Sequence, residues 1–125
     1  MRSTSDMAAE EAYLEFIEHI VEWGDRIPSL IGDRTYDQFV EDAAIHLAVW
    51  KCVEVIGEAA GRALQIEPGL ARHHEALALR QAYAMRNRLT HGYADVDLFI
   101  LWNTARDFVP ALVDAARELL ARRER

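Results

Sequence analysis

The chain has 125 residues, of which 51% are hydrophobic and 28% charged. This balance is that of a folded domain rather than a disordered chain, and we treat residues 1–125 as one domain. No apolar run approaches the roughly 20 residues that span a bilayer, and the polar N-terminus has no signal core, so we expect a cytoplasmic protein without membrane contact. The single cysteine, Cys52, excludes an intrachain disulfide and a cysteine-based zinc site.

The net charge of −7 is unevenly distributed along the chain. Residues 1–61 carry 13 acidic and 4 basic side chains, whereas residues 62–125 carry 8 acidic and 10 basic ones. Affinity for a phosphate backbone comes from cationic side chains, so an acidic chain is a poor general binder of nucleic acid. If RNA is a partner, we expect it to contact the C-terminal half.

The hydrophobic pattern is helical almost throughout. A first apolar stripe predicts a helix over about residues 7–23, and Gly24, Pro28 and Gly32 then predict a loop. Thr35 followed by Gln38 is a capping box. The long apolar segment that begins there changes phase near residues 42–45, which predicts a short helix running into a long one, or one bent helix.

Two glycines, Gly57 and Gly61, lie inside this long helix, where each costs roughly 1 kcal/mol relative to alanine. We therefore expect another backbone to approach closely at that point. Pro68 and Gly69 predict the end of the helix.

A further helix is predicted over about residues 71–91, with Gly92 as its C-terminal stop. Its inward-facing residues are predicted to be Leu77, Ala78, Ala82, Tyr83, Met85 and Leu89. Asp95 is the predicted cap of the last helix, which Pro110 should kink or split near Asp107. No strand alternation occurs, so the predicted fold is an all-α bundle of four or five helices.

The stretch MRNRLTHGY, from Met85 to Tyr93, concentrates hydrogen-bonding side chains at one predicted helix end. On a single helix, Arg86 and His91 would lie about 140° apart around the axis. They could converge if the helix ends between them, or if a second copy of the site faces the first. These residues indicate a phosphate-contacting site, but the structural alternative, with solvated arginines, a capping His91 and a packed Tyr93, is the commoner meaning of so short a pattern.

Two segments carry a more specific likeness. The sequence MRNRLTHGYADVDLFILW resembles the R-N-x-L-x-H-x-Y signature of HepT-like HEPN proteins, toxins of the MNT–HEPN toxin–antitoxin systems. The upstream VEVIGEAAGRAL is similar to the IGEA helix of the same family. The spacing between the two segments also fits, and the likeness extends from about Asp33 to Leu120.

The resemblance implies a homodimeric HEPN bundle in which two Arg–His motifs face each other across a cleft. It implies metal-independent endoribonuclease activity without a cofactor. His91 would act as general base or acid, and Arg86 would stabilise charge on the phosphoryl group. Asn87 would hold Arg86 or contact the phosphate.

Further residues are assigned by the same resemblance. Arg88 and Arg80 would bind RNA phosphates further out, and Glu58 would lie near the cleft. Tyr93 would accept AMP from an MNT-type nucleotidyltransferase antitoxin, which must be a separate chain because this one has no nucleotidyltransferase motif. The added charge and bulk would block RNA.

Two other functions remain open: a non-catalytic HEPN module that binds nucleotides or RNA or scaffolds a partner, and a purely structural helical dimer. We expect no metal site. His73 and His74 are adjacent and would point to different faces of a helix, whereas Asp95 and Asp97 are better explained as helix caps.

Overall fold

The computed structural model describes residues 3–91 and 97–123, and within them the chain forms helices joined by short turns and no strand. The helices are α1 (Thr4–Ile31), α2 (Tyr36–Glu41), α3 (Ala43–Ile66), α4 (Leu70–His73), α5 (Leu79–His91), α6 (Leu98–Asn103) and α7 (Val109–Arg123). Helix α3 packs along α1 and α5, and α7 packs against α1. The predicted all-α fold is confirmed.

Helix α1 runs through the region where a loop was predicted. It contains both Gly24 and Pro28, and it buries Ile27 and Ile31 in the core. A Cβ atom on Gly24 would lie 2.2 Å from Cγ2 of Val113, so this glycine allows close packing of α7 rather than breaking α1. The loop prediction was wrong at these two positions because tertiary burial outweighs the weak helix propensities of glycine and proline.

The turn and the phase change that follow agree with the prediction. Gly32 ends α1 with a φ of 56°, a conformation that glycine adopts readily. The Thr35 hydroxyl accepts a hydrogen bond from the Gln38 backbone, and the Gln38 side chain accepts one from the Thr35 backbone, which confirms the capping box. Asp42 ends α2, and its carboxylate caps α3 by accepting from the backbone of Ile45, so a short helix does run into a long one.

The single helix predicted over residues 71–91 is wrong, because this region is broken into α4, a 3₁₀ turn (Glu75–Leu77) and α5. The break occurs at His74 and at Ala78, whose φ is 46°. Leu77 and Leu79 explain it: two residues apart on one helix they would face opposite sides, yet both are buried in the core. The chain must leave the helical path for both side chains to be buried.

The predicted last helix is divided into α6 and α7, which are joined by a π-helical turn (Thr104–Phe108) just before Pro110. The predicted irregularity near Asp107 is therefore confirmed. Asp97 caps α6 by accepting from the backbones of Phe99 and Ile100, whereas Asp95 lies outside the described residues. No described helix has the length and apolar character needed to cross a membrane.

Candidate active site

Helices α3 and α5 meet closely at Gly57. A Cβ atom on this glycine would lie 2.2 Å from Cβ of Arg86 and 2.6 Å from the backbone oxygen of Ala82. Only hydrogen fits there, so the absence of a side chain at Gly57 lets Arg86 of α5 lie directly against α3. The expected close approach of a second backbone is confirmed at this position.

One turn later, Gly61 has a different neighbour. A Cβ atom there would lie 2.4 Å from Cδ1 of the Tyr83 ring rather than against backbone. Tyr83 is 37% exposed, so the prediction that it points into the core was wrong. The ring lies against the surface of α3, while Ala82 and Leu89 of the same predicted face are buried.

The guanidinium of Arg86 is fixed at both of its terminal nitrogens. Nη1 donates to Oδ1 of Asn87 at 3.0 Å, and Nη2 lies 3.1 Å from Oε2 of Glu58 on α3. The other carboxylate oxygen of Glu58 accepts from Nε of Arg62 at 3.0 Å. Nε of Arg86 is buried and has no hydrogen-bond partner among the described residues, and the side chain as a whole is 28% exposed. Sequence reasoning anticipated the Asn87 contact but not the ion pair with Glu58.

The backbone at His91 excludes one of the two arrangements in which Arg86 and His91 could converge, namely a helix that ends between them. Helix α5 continues to His91, so it does not end between Arg86 and His91. Five residues on a continuous helix correspond to about 7.5 Å along the axis and about 140° around it. The side chain of His91 and the whole of Tyr93 lie outside the described residues, and their roles stay predictions.

Positive charge without an acidic partner is concentrated near α4 and α5. Arg80 and Arg88 are exposed and form no ion pair with the described residues, and the same holds for Arg72 on α4. Arg72 and Arg80 both line an open cavity of about 520 Å³, together with Glu75. Arg106 also lacks an ion pair among the described residues and lies over the Trp102 ring instead. Other cations are paired with carboxylates, namely Arg26, Arg34, Lys51, Arg62, Arg117, Arg122 and Arg123. Sequence reasoning did not single out Arg72, because pairing cannot be read from charge counts.

Two further side chains, those of His46 and Cys52, make contacts within the helical bundle. Nδ1 of His46 lies 3.1 Å from the Phe39 backbone oxygen. Burial raises the pKa of the Cys52 thiol, an effect that the charge of Arg26 partly offsets. Among the side chains that the structure describes, which do not include that of His91, no three His, Cys, Asp or Glu residues are grouped so as to hold a metal ion.

The family model and the relatives found by comparison with known proteins agree on one family. The family model described as "Ribonuclease HepT-like" matches residues 11–119. "Putative RNase MJ0125" of Methanocaldococcus jannaschii is 31% identical over 97 residues, which are 78% of this chain and 81% of the relative. "Probable ribonuclease HepT" of Thermococcus cleftensis is 28% identical over 103 residues, which are 82% of this chain and 91% of the relative. No solved structure gives a significant match.

The matched region contains both segments that carry the sequence resemblance, the glycine-containing stretch of α3 and the motif at the end of α5. The ribonuclease prediction is thereby confirmed at the level of the family. The chain belongs to the HepT-like ribonucleases of the HEPN class.

Proposed function

We propose that the protein is a metal-independent endoribonuclease whose active site contains Arg86, Asn87 and His91. The observation that carries this proposal is the fixed position of Arg86. Its guanidinium is held by Asn87 and Glu58 while part of the side chain remains exposed. A guanidinium that is held in place and still partly exposed is suited to hold a phosphodiester.

The reaction would use the 2′-hydroxyl that distinguishes RNA from DNA. His91 removes the 2′-hydroxyl proton, and the 2′ oxygen then forms a bond to the adjacent phosphorus. The bond between phosphorus and the 5′ oxygen breaks, and that oxygen takes a proton from an imidazolium. The products are a 2′,3′-cyclic phosphate and a 5′-hydroxyl. No metal ion enters this scheme, because the base and the acid are both imidazole.

Arg86 would stabilise the charge that develops on the non-bridging phosphate oxygens. A guanidinium has five N–H groups, and the contacts with Asn87 and Glu58 use two of them. The remaining donors include the buried Nε–H group, which has no described protein partner. Arg80 and Arg88, exposed and without an ion pair among the described residues, would contact phosphates on either side of the cleaved bond.

The proposal includes a second copy of the chain. Arg86 and His91 diverge by about 140° on an unbroken α5, so one copy would not direct both side chains at one phosphate. A two-fold axis beside α5 would bring Arg86 of one copy towards His91 of the other. The homodimer is therefore part of the proposed active site.

We extend the proposal to a toxin–antitoxin system on the basis of the motif resemblance. A separate MNT-type nucleotidyltransferase would transfer AMP from ATP to the hydroxyl of Tyr93, with diphosphate as leaving group. Tyr93 follows His91 by two residues, so the added phosphate would place negative charge and bulk beside the site and repel RNA. Both partners would act in the cytoplasm.

A non-catalytic RNA- or nucleotide-binding module is the alternative. It is favoured by the net charge of −7 and by the carboxylate of Glu58, which partly neutralises Arg86. The two functions differ in one respect that can be measured directly, which is whether phosphodiester bonds are broken.

The test is cleavage of total RNA by purified protein in EDTA, comparing the wild type with His91→Ala. Circular dichroism and the thermal midpoint establish that the variant is folded. Cleavage by the wild type alone, with cyclic phosphate ends, is expected. If neither protein cleaves mRNA or tRNA, and mass spectrometry finds no AMP on Tyr93, the ribonuclease proposal is refuted and the binding module is favoured.

A further inference from the structure

The carboxylate of Glu58 lies between two guanidinium groups. Its Oε2 is 3.1 Å from Nη2 of Arg86, and its Oε1 accepts from Nε of Arg62 at 3.0 Å. Arg62 lies one turn further along α3, whereas Arg86 belongs to α5. Glu58 therefore links the proposed catalytic arginine to the helix on which α5 packs.

This ion pair has little to contribute to stability by itself. The Glu58 side chain is 41% exposed, and exposed ion pairs contribute between nothing and about 1 kcal/mol. The ion pair instead restricts the orientation of the Arg86 guanidinium. Gly57 holds the base of the Arg86 side chain, while Glu58 and Asn87 hold its two terminal nitrogens, so the guanidinium plane has little freedom to rotate.

The same carboxylate has an electrostatic effect of opposite sign. A phosphate that binds the exposed edge of Arg86 comes close to the negative charge of Glu58, which lowers the attraction between RNA and the site. Arg62 offsets part of this charge, but its side chain is 58% exposed and thus strongly screened by solvent.

We propose that Glu58 is a positioning residue that orients Arg86 for transition-state stabilisation and at the same time limits the affinity of the site for RNA. This inference rests on the proposed ribonuclease function and names the carboxylate that sets the balance between turnover and binding. A group that sacrifices ground-state affinity for alignment in the transition state should raise kcat and KM together.

The two effects can be separated by three substitutions. Glu58→Ala removes both the charge and the contact, so kcat should fall roughly 10- to 100-fold, the usual range for a misplaced catalytic group. Glu58→Gln removes the charge but keeps one amide oxygen that can accept from Arg86, so KM for RNA should fall about fivefold, as expected for one unit charge a few ångströms away in a water-like dielectric. Glu58→Asp keeps the charge but shortens the reach, so kcat should fall while KM stays near the wild-type value.

Glu54→Gln is the matched control. Glu54 lies one turn before Glu58 on α3 and forms an ion pair of the same kind, with Nζ of Lys51 at 2.9 Å. The substitution changes the net charge by the same amount but leaves Arg86 untouched. It should therefore leave kcat unchanged and shift KM by less than twofold, since Glu54 pairs with Lys51 and not with Arg86.

The first readout is catalytic and uses proteins with intact His91. The inference predicts that Glu58→Gln lowers KM and that Glu58→Ala lowers kcat, with both constants of Glu54→Gln near the wild type. Simple structural damage would lower kcat and raise KM. That result, or identical constants for Glu58→Gln and Glu54→Gln, would overturn the inference while leaving the ribonuclease activity established.

The second readout does not depend on activity. Binding of a fluorescent single-stranded RNA is measured by anisotropy for the His91→Ala protein, with and without Glu58→Gln or Glu54→Gln. Glu58→Gln should tighten binding about fivefold relative to Glu54→Gln. Equal affinities would refute the role of Glu58 even if the wild type cleaves RNA. Tighter binding together with an inactive wild type would support only the effect of Glu58 on RNA affinity, and would refute both the ribonuclease proposal and the positioning role.

Discussion

Replacing Gly57 with alanine tests the packing of α5 on α3, on which the position of Arg86 depends. The new Cβ atom would lie 2.2 Å from Cβ of Arg86 and 2.6 Å from the Ala82 backbone oxygen. Both distances are far below van der Waals contact, and neither neighbour is the end of a flexible side chain. The two helices must therefore separate for the methyl group to fit.

The expected loss of stability follows from two opposing contributions. Overpacking a well-packed site typically costs about 1–3 kcal/mol, and contact with backbone favours the upper part of that range. Alanine in a helix interior stabilises the helix by about 1 kcal/mol relative to glycine. The free energy of unfolding should thus fall by about 1–2 kcal/mol, which corresponds to a thermal midpoint roughly 4–10 °C lower for a chain of this size.

Gly61→Ala provides the matched comparison on the same helix. It brings the same gain in helix propensity, but its Cβ would meet the ring of Tyr83, which is 37% exposed and can turn towards solvent. Its stability should lie within about 0.5 kcal/mol of the wild type. Urea denaturation at fixed protein concentration measures both variants, because the proposed dimer would make the midpoint concentration-dependent. Equal stabilities of Gly57→Ala and Gly61→Ala would show that α5 does not pack on α3 as described, and the account of Arg86 would lose its basis.

Three further outcomes are expected. Thr35→Ala should lower the free energy of unfolding by about 1 kcal/mol in urea denaturation, because the Gln38 amide loses its capping acceptor; an unchanged midpoint would mean that the capping box does not form. The Cys52 thiol, buried and with a raised pKa, should react with a disulfide reagent at pH 8 far more slowly in native protein than in urea, and equal rates would contradict its burial. Arg88→Ala should weaken RNA binding by the His91→Ala protein and reduce the salt dependence by about one phosphate contact, whereas an unchanged salt slope would exclude that contact.

Much of the fold could be predicted because its causes are local in sequence. The capping box at Thr35 depends on residues three apart, and the change from α2 to α3 follows from a shift in apolar phase around Asp42. The interruption between α6 and α7 could be predicted from Pro110, because proline cannot continue the hydrogen bonds of a helix. The close contact at Gly57 was foreseen because glycine inside a helix needs a compensating reason.

The errors arose where tertiary packing opposed local preference. Gly24 and Pro28 predicted a loop. The helix α1 nevertheless continues through both, because Gly24 packs against Val113 and the last turns of α1 are buried. Residues 71–91 were predicted to form one helix, yet the burial of both Leu77 and Leu79 requires a break between them.

For the candidate site, the sequence by itself determined which residues are candidates for the chemistry. The motif at Arg86, Asn87 and His91 and the upstream IGEA segment specify the family, because their types and spacing are fixed along the chain. The tertiary structure alone decided which groups are electrostatically coupled. Glu58 and Arg86 are 28 positions apart, and only the crossing of α3 and α5 at Gly57 brings their side chains to 3.1 Å. Ion pairing depends on distance through space, which no local pattern encodes.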